Sequence, residues 1–114
     1  MYVNASASDM RRGRYDDRPM AFLLKRRLRS VSDQIAAARE ELIRLDEEVV
    51  DLDMTRDDAE LRAVVSESPA DAADFGDADK HHRVIARERE RLRAKLVRLE
   101  RHRDELLDQL AERS

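Results

Sequence analysis

The chain has no cysteine and few of the residues that interrupt helices or build layered cores. Its 114 residues include two glycines, two prolines and only 4% aromatic residues. The lack of cysteine excludes disulfides and thiolate metal sites, and no apolar run approaches the roughly 18 residues of a membrane-spanning helix. Residues 1–9 lack the basic and apolar regions of a signal peptide, so we expect a cytoplasmic protein with no membrane contact.

Charge is what the chain has in abundance, at 43% of its residues. Such a composition is typical of long helices whose faces are mostly solvated. The net charge of −3 hides a segregation, because residues 1–30 carry eight basic and three acidic residues, whereas residues 31–80 carry five basic and sixteen acidic ones. If the chain folds back on itself, its middle segment becomes an acidic end.

The strongest pattern in the sequence is a 4-3 repeat of apolar residues. A strict seven-residue period places its members on one stripe of an α-helix and makes that stripe a coiled-coil seam. In the first half the seam consists of Ala21, Leu24, Leu28, Val31, Ile35, Ala38, Leu42, Leu45, Val49 and Leu52. A weaker seam lies nearer the C-terminus, made of Phe75, Ala78, His82, Ile85, Arg89, Leu92, Leu96, Leu99, Arg103, Leu106 and Leu110.

Two seams of this kind predict an all-α fold, an antiparallel two-helix coiled-coil hairpin that dimerises into a four-helix arrangement. An intermolecular pairing of the same seams is the alternative. In the register we expect, Leu45 faces Leu96, and Asp46 then lies beside Arg93 as a complementary pair. The same register places His82 opposite Ala59.

The clearest break between the seams is the segment Ser66-Glu67-Ser68-Pro69. Ser68 suits the capping position of a helix and Pro69 its first turn, whereas Gly76 weakens the helical stretch around it. Residues 1–18 are polar and show no periodicity, which predicts a disordered N-terminal arm followed by a hairpin over 19–114. Their expected bounds are 1–18 for the arm, about 20–65 for helix 1, about 66–76 for the tip and about 77–111 for helix 2.

A second apolar row on helix 1 lies off the seam and includes Phe22, Ile43 and Val50. A two-helix hairpin cannot cover such a row, and uncovered apolar rows on a thin protein usually contact another helix. We therefore predict that Phe22, Ile43 and Val50 bind either a protein partner or a second copy of the chain in a homodimer.

The acidic end carries the pattern Asp71-x-x-Asp74-x-Gly76, and Asp77 comes directly after it. A coiled-coil hairpin with such an end resembles the DksA and Gre families, whose hairpins enter the secondary channel of RNA polymerase, and the DksA pattern is Asp-x-x-Asp-x-Ala. The resemblance covers the hairpin alone, without the zinc or globular domains of those families. It implies that Asp71 and Asp74 are tip acids, and we add Asp77 to this set of partner-binding residues.

No motif in the sequence predicts catalysis, a cofactor or a metal site. The basic outer face of helix 2 is interleaved with acidic residues and has no aromatic residue to stack on bases, so a nucleic-acid site is not expected. We expect a non-enzymatic interaction protein that regulates by protein–protein contacts, with RNA polymerase or a sigma factor as the suspected partner. The alternative is a structural adaptor, a homodimeric scaffold with no role in transcription.

Overall fold

The computed structural model of the chain consists of two helices, α1 over Tyr2–Ser66 and α2 over Pro69–Arg113. It describes the backbone of residues 2–113 and the side chains of residues 18–113. The helices pack against each other without any strand in the described backbone, which confirms the predicted all-α helical hairpin. Neither helix has, within the described residues, a stretch long and apolar enough to cross a bilayer.

The chain divides into two compact units, each of which contains parts of both helices. The first unit is formed by Met1–Ile35 with Arg98–Ser114, and the second by Ala36–Val97. The second unit therefore contains the connection between the helices.

In the first unit, the predicted seam is the buried face. Leu24, Val31 and Ile35 of α1 and Leu106 of α2 are all buried, and Leu24 and Leu106 are each only 2% exposed. These residues occupy seam positions, so their burial results from the 4-3 repeat.

The second unit buries the continuation of the same seam. Ala38, Leu45, Val49 and Ala59 of α1 are buried. On α2, the seam positions of this unit are half-buried, including the polar His82 and Arg89. The heptad assignment thus identified the packed face of both helices, polar members included.

The N-terminal boundary of α1 differs from the expected one. The helix starts at Tyr2 rather than near residue 20, so its backbone runs through most of the predicted arm, residues 1–18. The side chains of that segment up to Asp17 lie outside the described residues, and the disordered arm remains a prediction.

The connection between the helices is shorter than the predicted tip. α1 ends at Ser66 and α2 begins at Pro69, not near residue 77, and α2 passes through Gly76. Ser68 caps α2 as expected, because its Oγ accepts hydrogen bonds from the backbone N–H groups of Ala70 and Asp71 at 3.2 and 3.5 Å. Nothing lies within 4 Å of a Cβ built on Gly76, and a solvent-facing glycine weakens a helix by only about 1 kcal/mol.

The register within the second unit is shifted by about one heptad from the expected one. The expected register placed His82 opposite Ala59, whereas His82 Nε2 lies 3.3 Å from Asp53 Oδ1. Asp46 Oδ1 reaches Arg93 at 3.4 Å, as predicted, but also Arg89 at 3.8 Å. A shift of seven residues, about 10 Å along a helix, keeps seam against seam, and the short connection selects this register.

Two alanine substitutions, one on the buried face of α1 and one on its exposed face, should lower the free energy of unfolding by different amounts. Leu45 is 4% exposed and Ile43 is 60% exposed. We expect Leu45→Ala to lower the free energy of unfolding by about 2–3 kcal/mol, because it leaves a cavity on the seam. Ile43→Ala should cost less than about 1 kcal/mol, since alanine is the better helix former. Urea denaturation in dilute solution, followed by circular dichroism, measures both; equal costs would contradict the assigned face.

The residue that ends α1 generates a second stability prediction. Glu67 has φ of 53°, and its N–H donates to the carbonyl of Ala63 at 3.1 Å, the arrangement of a left-handed helix end that favours glycine. Glu67→Gly should therefore raise the free energy of unfolding by roughly 0.5–1 kcal/mol. The control Val65→Gly, inside α1, should lower it by a similar amount. A lower free energy of unfolding in Glu67→Gly would contradict the conclusion that glutamate is strained in this left-handed conformation.

Candidate protein-interaction surface

The outer face of α1 in the second unit carries a set of exposed apolar side chains, which we call the outer stripe. Its members are Ile43, Val50, Met54, Leu61 and Val64, with exposed fractions from 58% for Val50 to 69% for Val64. A side chain that packs in the hairpin is buried or half-buried in this unit, so the outer stripe takes no part in the contact between α1 and α2.

The stripe has its own heptad spacing. Ile43, Val50 and Val64 share one heptad position, and Met54 and Leu61 share the position four residues further on. Steps of three and four residues put all five on one face of a helix. Ile43 and Val50 are predicted from the sequence, whereas Met54 and Leu61 are not; the signal for these two is that the outer face repeats the 4-3 spacing of the seam.

Carboxylates line the stripe. Val50 lies in a shallow groove with Asp46, Glu47 and Asp51. A second shallow groove is lined by the apolar residues Leu61 and Val64 and by the acidic residues Asp57 and Glu60. The outer stripe is therefore an apolar surface with acidic borders.

Some of these carboxylates are already neutralised by cations of the same unit. Asp46 contacts Arg89 and Arg93 of α2, and the weaker contacts of Asp57 with Arg56 and of Asp58 with Arg62 are both 3.6 Å long.

Three other carboxylates have no such neutralisation. Glu47, Asp51 and Glu60 form no side-chain ion pair within the described part of the chain. Glu47 and Asp51 border the groove at Val50, and Glu60 borders the groove at Leu61. The stripe thus carries uncompensated negative charge beside both of its grooves.

A polar cluster of Asp53, Arg56 and His82 fastens α1 to α2 on the seam side of the second unit. Arg56 Nη2 donates to Asp53 Oδ1 at 2.6 Å, and Arg56 Nη1 lies 3.3 Å from His82 Nδ1. A guanidinium only donates, so Nδ1 is the acceptor and His82 carries its proton on Nε2, which faces Asp53 at 3.3 Å. These contacts hold Arg56 toward the seam, although its Nη2 also lies 3.6 Å from Asp57 Oδ1.

In the first unit, one exposed apolar residue is surrounded by basic side chains instead of acidic ones. Phe22 is 66% exposed and lines a shallow groove with Lys25, Arg26 and Arg29. The sequence predicts that Phe22 belongs to one row with Ile43 and Val50. By charge they are two kinds of surface, one basic in the first unit and one acidic in the second.

The three predicted tip acids differ in their surroundings. Asp71 is half-buried, and its Oδ2 accepts a hydrogen bond from Ser66 Oγ at 2.5 Å. It lies in the first turn of α2, where a carboxylate is favoured by the helix dipole. Asp74 and Asp77 are exposed. Asp71 thus has a structural task at the connection, whereas Asp74 and Asp77 are accessible to a partner.

No family model matches the chain, and neither a curated protein nor a solved structure matches it.

Proposed function

We propose that this chain is a non-enzymatic, cytoplasmic interaction protein that binds a protein partner through the outer stripe of α1. The observation that carries the proposal is the set of five exposed apolar side chains at 4-3 spacing on one helix face. Apolar rows of this size on a soluble protein mark sites of contact with other proteins.

The free energy gained by burying the side chains of the outer stripe is large enough to favour binding of a partner to this face. Complete burial of a side chain such as Val, Leu or Met contributes about 1.5–3 kcal/mol. Since the stripe residues are 58–69% exposed, covering each of them would contribute roughly 1–2 kcal/mol. Five such contributions are comparable to the cost of association, which is about 4–15 kcal/mol. A partner that adds a few polar contacts would bind stably.

The spacing of the stripe indicates the form of the partner. A 4-3 apolar repeat is the surface onto which another helix packs, side chain between side chains. Regulation of the partner is one consequence of such binding. The alternative function, a structural adaptor, would use the same face to hold two copies in a homodimer with a four-helix arrangement.

A second candidate function is regulation of transcription through the acids at the connection. It is favoured by the exposure of Asp74 and Asp77 on the first turns of α2, where carboxylates are accessible to a basic or metal-containing cavity. In this proposal the partner is RNA polymerase or a sigma factor, and Asp71 supports the connection instead of contacting the partner.

The stripe proposal predicts which exposed residues are needed for partner recovery. Val50→Gln/Leu61→Gln removes two apolar contacts but keeps helix propensity and charge. We expect the tagged variant to recover partners from its own cells about tenfold less well than the native chain, which corresponds to about 1.4 kcal/mol. The matched control is Val84→Gln/Val97→Gln on α2, where the exposures are 51% and 47%. The proposal is wrong if both variants recover the same proteins in the same amounts.

The tip acids are tested separately with purified components. If the native chain alters transcription by RNA polymerase with its sigma factor, Asp74→Asn/Asp77→Asn should abolish the effect while helix content is retained. Two acids far along α2 serve as the control, Asp108→Asn/Glu112→Gln, and should leave the effect unchanged. A native chain that neither binds the polymerase nor changes transcript yield would eliminate the transcription proposal and leave the stripe proposal standing.

A further inference from the structure

The charge around the outer stripe restricts what can cover it. Between residues 43 and 65, α1 has eight acidic and three basic residues. The acidic residues are Asp46, Glu47, Glu48, Asp51, Asp53, Asp57, Asp58 and Glu60; the basic residues are Arg44, Arg56 and Arg62.

None of the three cations pairs with Glu47, Asp51 or Glu60, although Arg56 Nη2 lies 3.6 Å from Asp57 Oδ1. Arg56 is engaged with Asp53 and His82 on the seam side. Arg44 pairs with Glu41, and Arg62 lies 3.6 Å from Asp58. Glu47, Asp51 and Glu60 therefore present their charge to whatever covers Val50 and Leu61.

This charge disfavours a second copy packed stripe against stripe. If two copies paired in parallel, Glu47 would meet Glu47 and Asp57 would meet Asp57. If they paired antiparallel about Met54, Asp51 would lie near Asp57 and Glu48 near Glu60, against one pair of opposite sign, Asp46 with Arg62. Like charges beside a helix pair oppose association in either direction, and opposite charges specify the partner.

We infer that the outer stripe binds a basic amphipathic helix of another protein, an inference that rests on the proposed function and names the chemistry of the partner. The partner helix carries Leu, Ile, Val or Met at 4-3 spacing, which fill the grooves at Val50 and at Leu61 and Val64. Lys or Arg on both sides of that apolar row pairs with Glu47 and Asp51 at one groove and with Glu60 at the other. Burial of the apolar side chains supplies the affinity, and the carboxylates beside the grooves supply the selectivity.

Two synthetic helical peptides test the inference directly. Each spans about three heptads with Leu at every 4-3 position, and they differ only in the residues that flank the apolar row, which are Lys in the basic probe and Glu in the acidic one. Fluorescence anisotropy of the labelled peptides is measured against the native chain. We expect the basic probe to bind at least tenfold more tightly than the acidic one, and its advantage to shrink between about 50 and 300 mM salt.

Two sets of variants separate border charge from total charge. Glu47→Gln/Asp51→Asn/Glu60→Gln should weaken binding of the basic probe at least fivefold. The control Glu88→Gln/Asp108→Asn/Glu112→Gln removes the same number of charges from exposed positions of α2 and should bind the probe as the native chain does. Circular dichroism melting checks that both variants keep their fold.

Three outcomes would overturn the inference. One is equal affinity for the two probes, another is no binding of the basic probe, and the third is native affinity in the border variant. Sedimentation of the native chain adds a further outcome. If the chain is a dimer that Val50→Gln/Leu61→Gln dissociates, the occupant is a second copy and the inference is wrong. Loss of partner recovery by Val50→Gln/Leu61→Gln would still uphold the proposed function in any of the first three cases.

Discussion

The constraint on which the structure depends is that a helix paired with one other helix buries only one stripe of its surface. In the second unit, that stripe is the heptad seam with Leu45 and Val49 at its centre. The faces away from the seam have no layer above them and must be soluble on their own or covered by something else. The high charge of the chain keeps most of these faces soluble, and the outer stripe is one place where the surface is apolar instead.

The same constraint explains why polar residues are tolerated on the seam of α2. Arg89 and His82 occupy positions that would be buried in a thicker fold, yet their side chains are 25% and 16% exposed. Their polar ends reach carboxylates of α1 at the edge of the pair, Asp46 and Asp53, while the seam covers their inner atoms. The arrangement is not complete, because Nε of Arg89 is buried without a hydrogen-bond partner. A buried polar atom without a partner costs some stability.

The sequence was sufficient to predict the helices, the seam and the exposed row, but not the register or the connection. A heptad repeat looks the same after a shift of seven residues, so apolar matching alone could not choose between Ala59 and Asp53 as the neighbour of His82. The ion pair of Asp46 and Arg93 did not decide it either, because a long guanidinium side chain reaches Asp46 in the observed register too, at 3.4 Å. The deciding feature is local: Glu67 takes a left-handed conformation and Ser68 caps α2 at once.

The candidate surface was predicted in part, for a related reason. Ile43 and Val50 stand out because they share one heptad position, whereas Met54 and Leu61 occupy a neighbouring position and look like scattered exposed residues until the second 4-3 series is recognised. Apolar spacing describes where a partner packs, but it says nothing about which partner fits. That information lies in the carboxylates left without cations, Glu47, Asp51 and Glu60. Negative charge beside the grooves attracts a partner with basic residues there and repels one with acidic residues. A helix face with no deep pocket can still discriminate among partners when its apolar row supplies the affinity and the charges beside that row supply the selectivity.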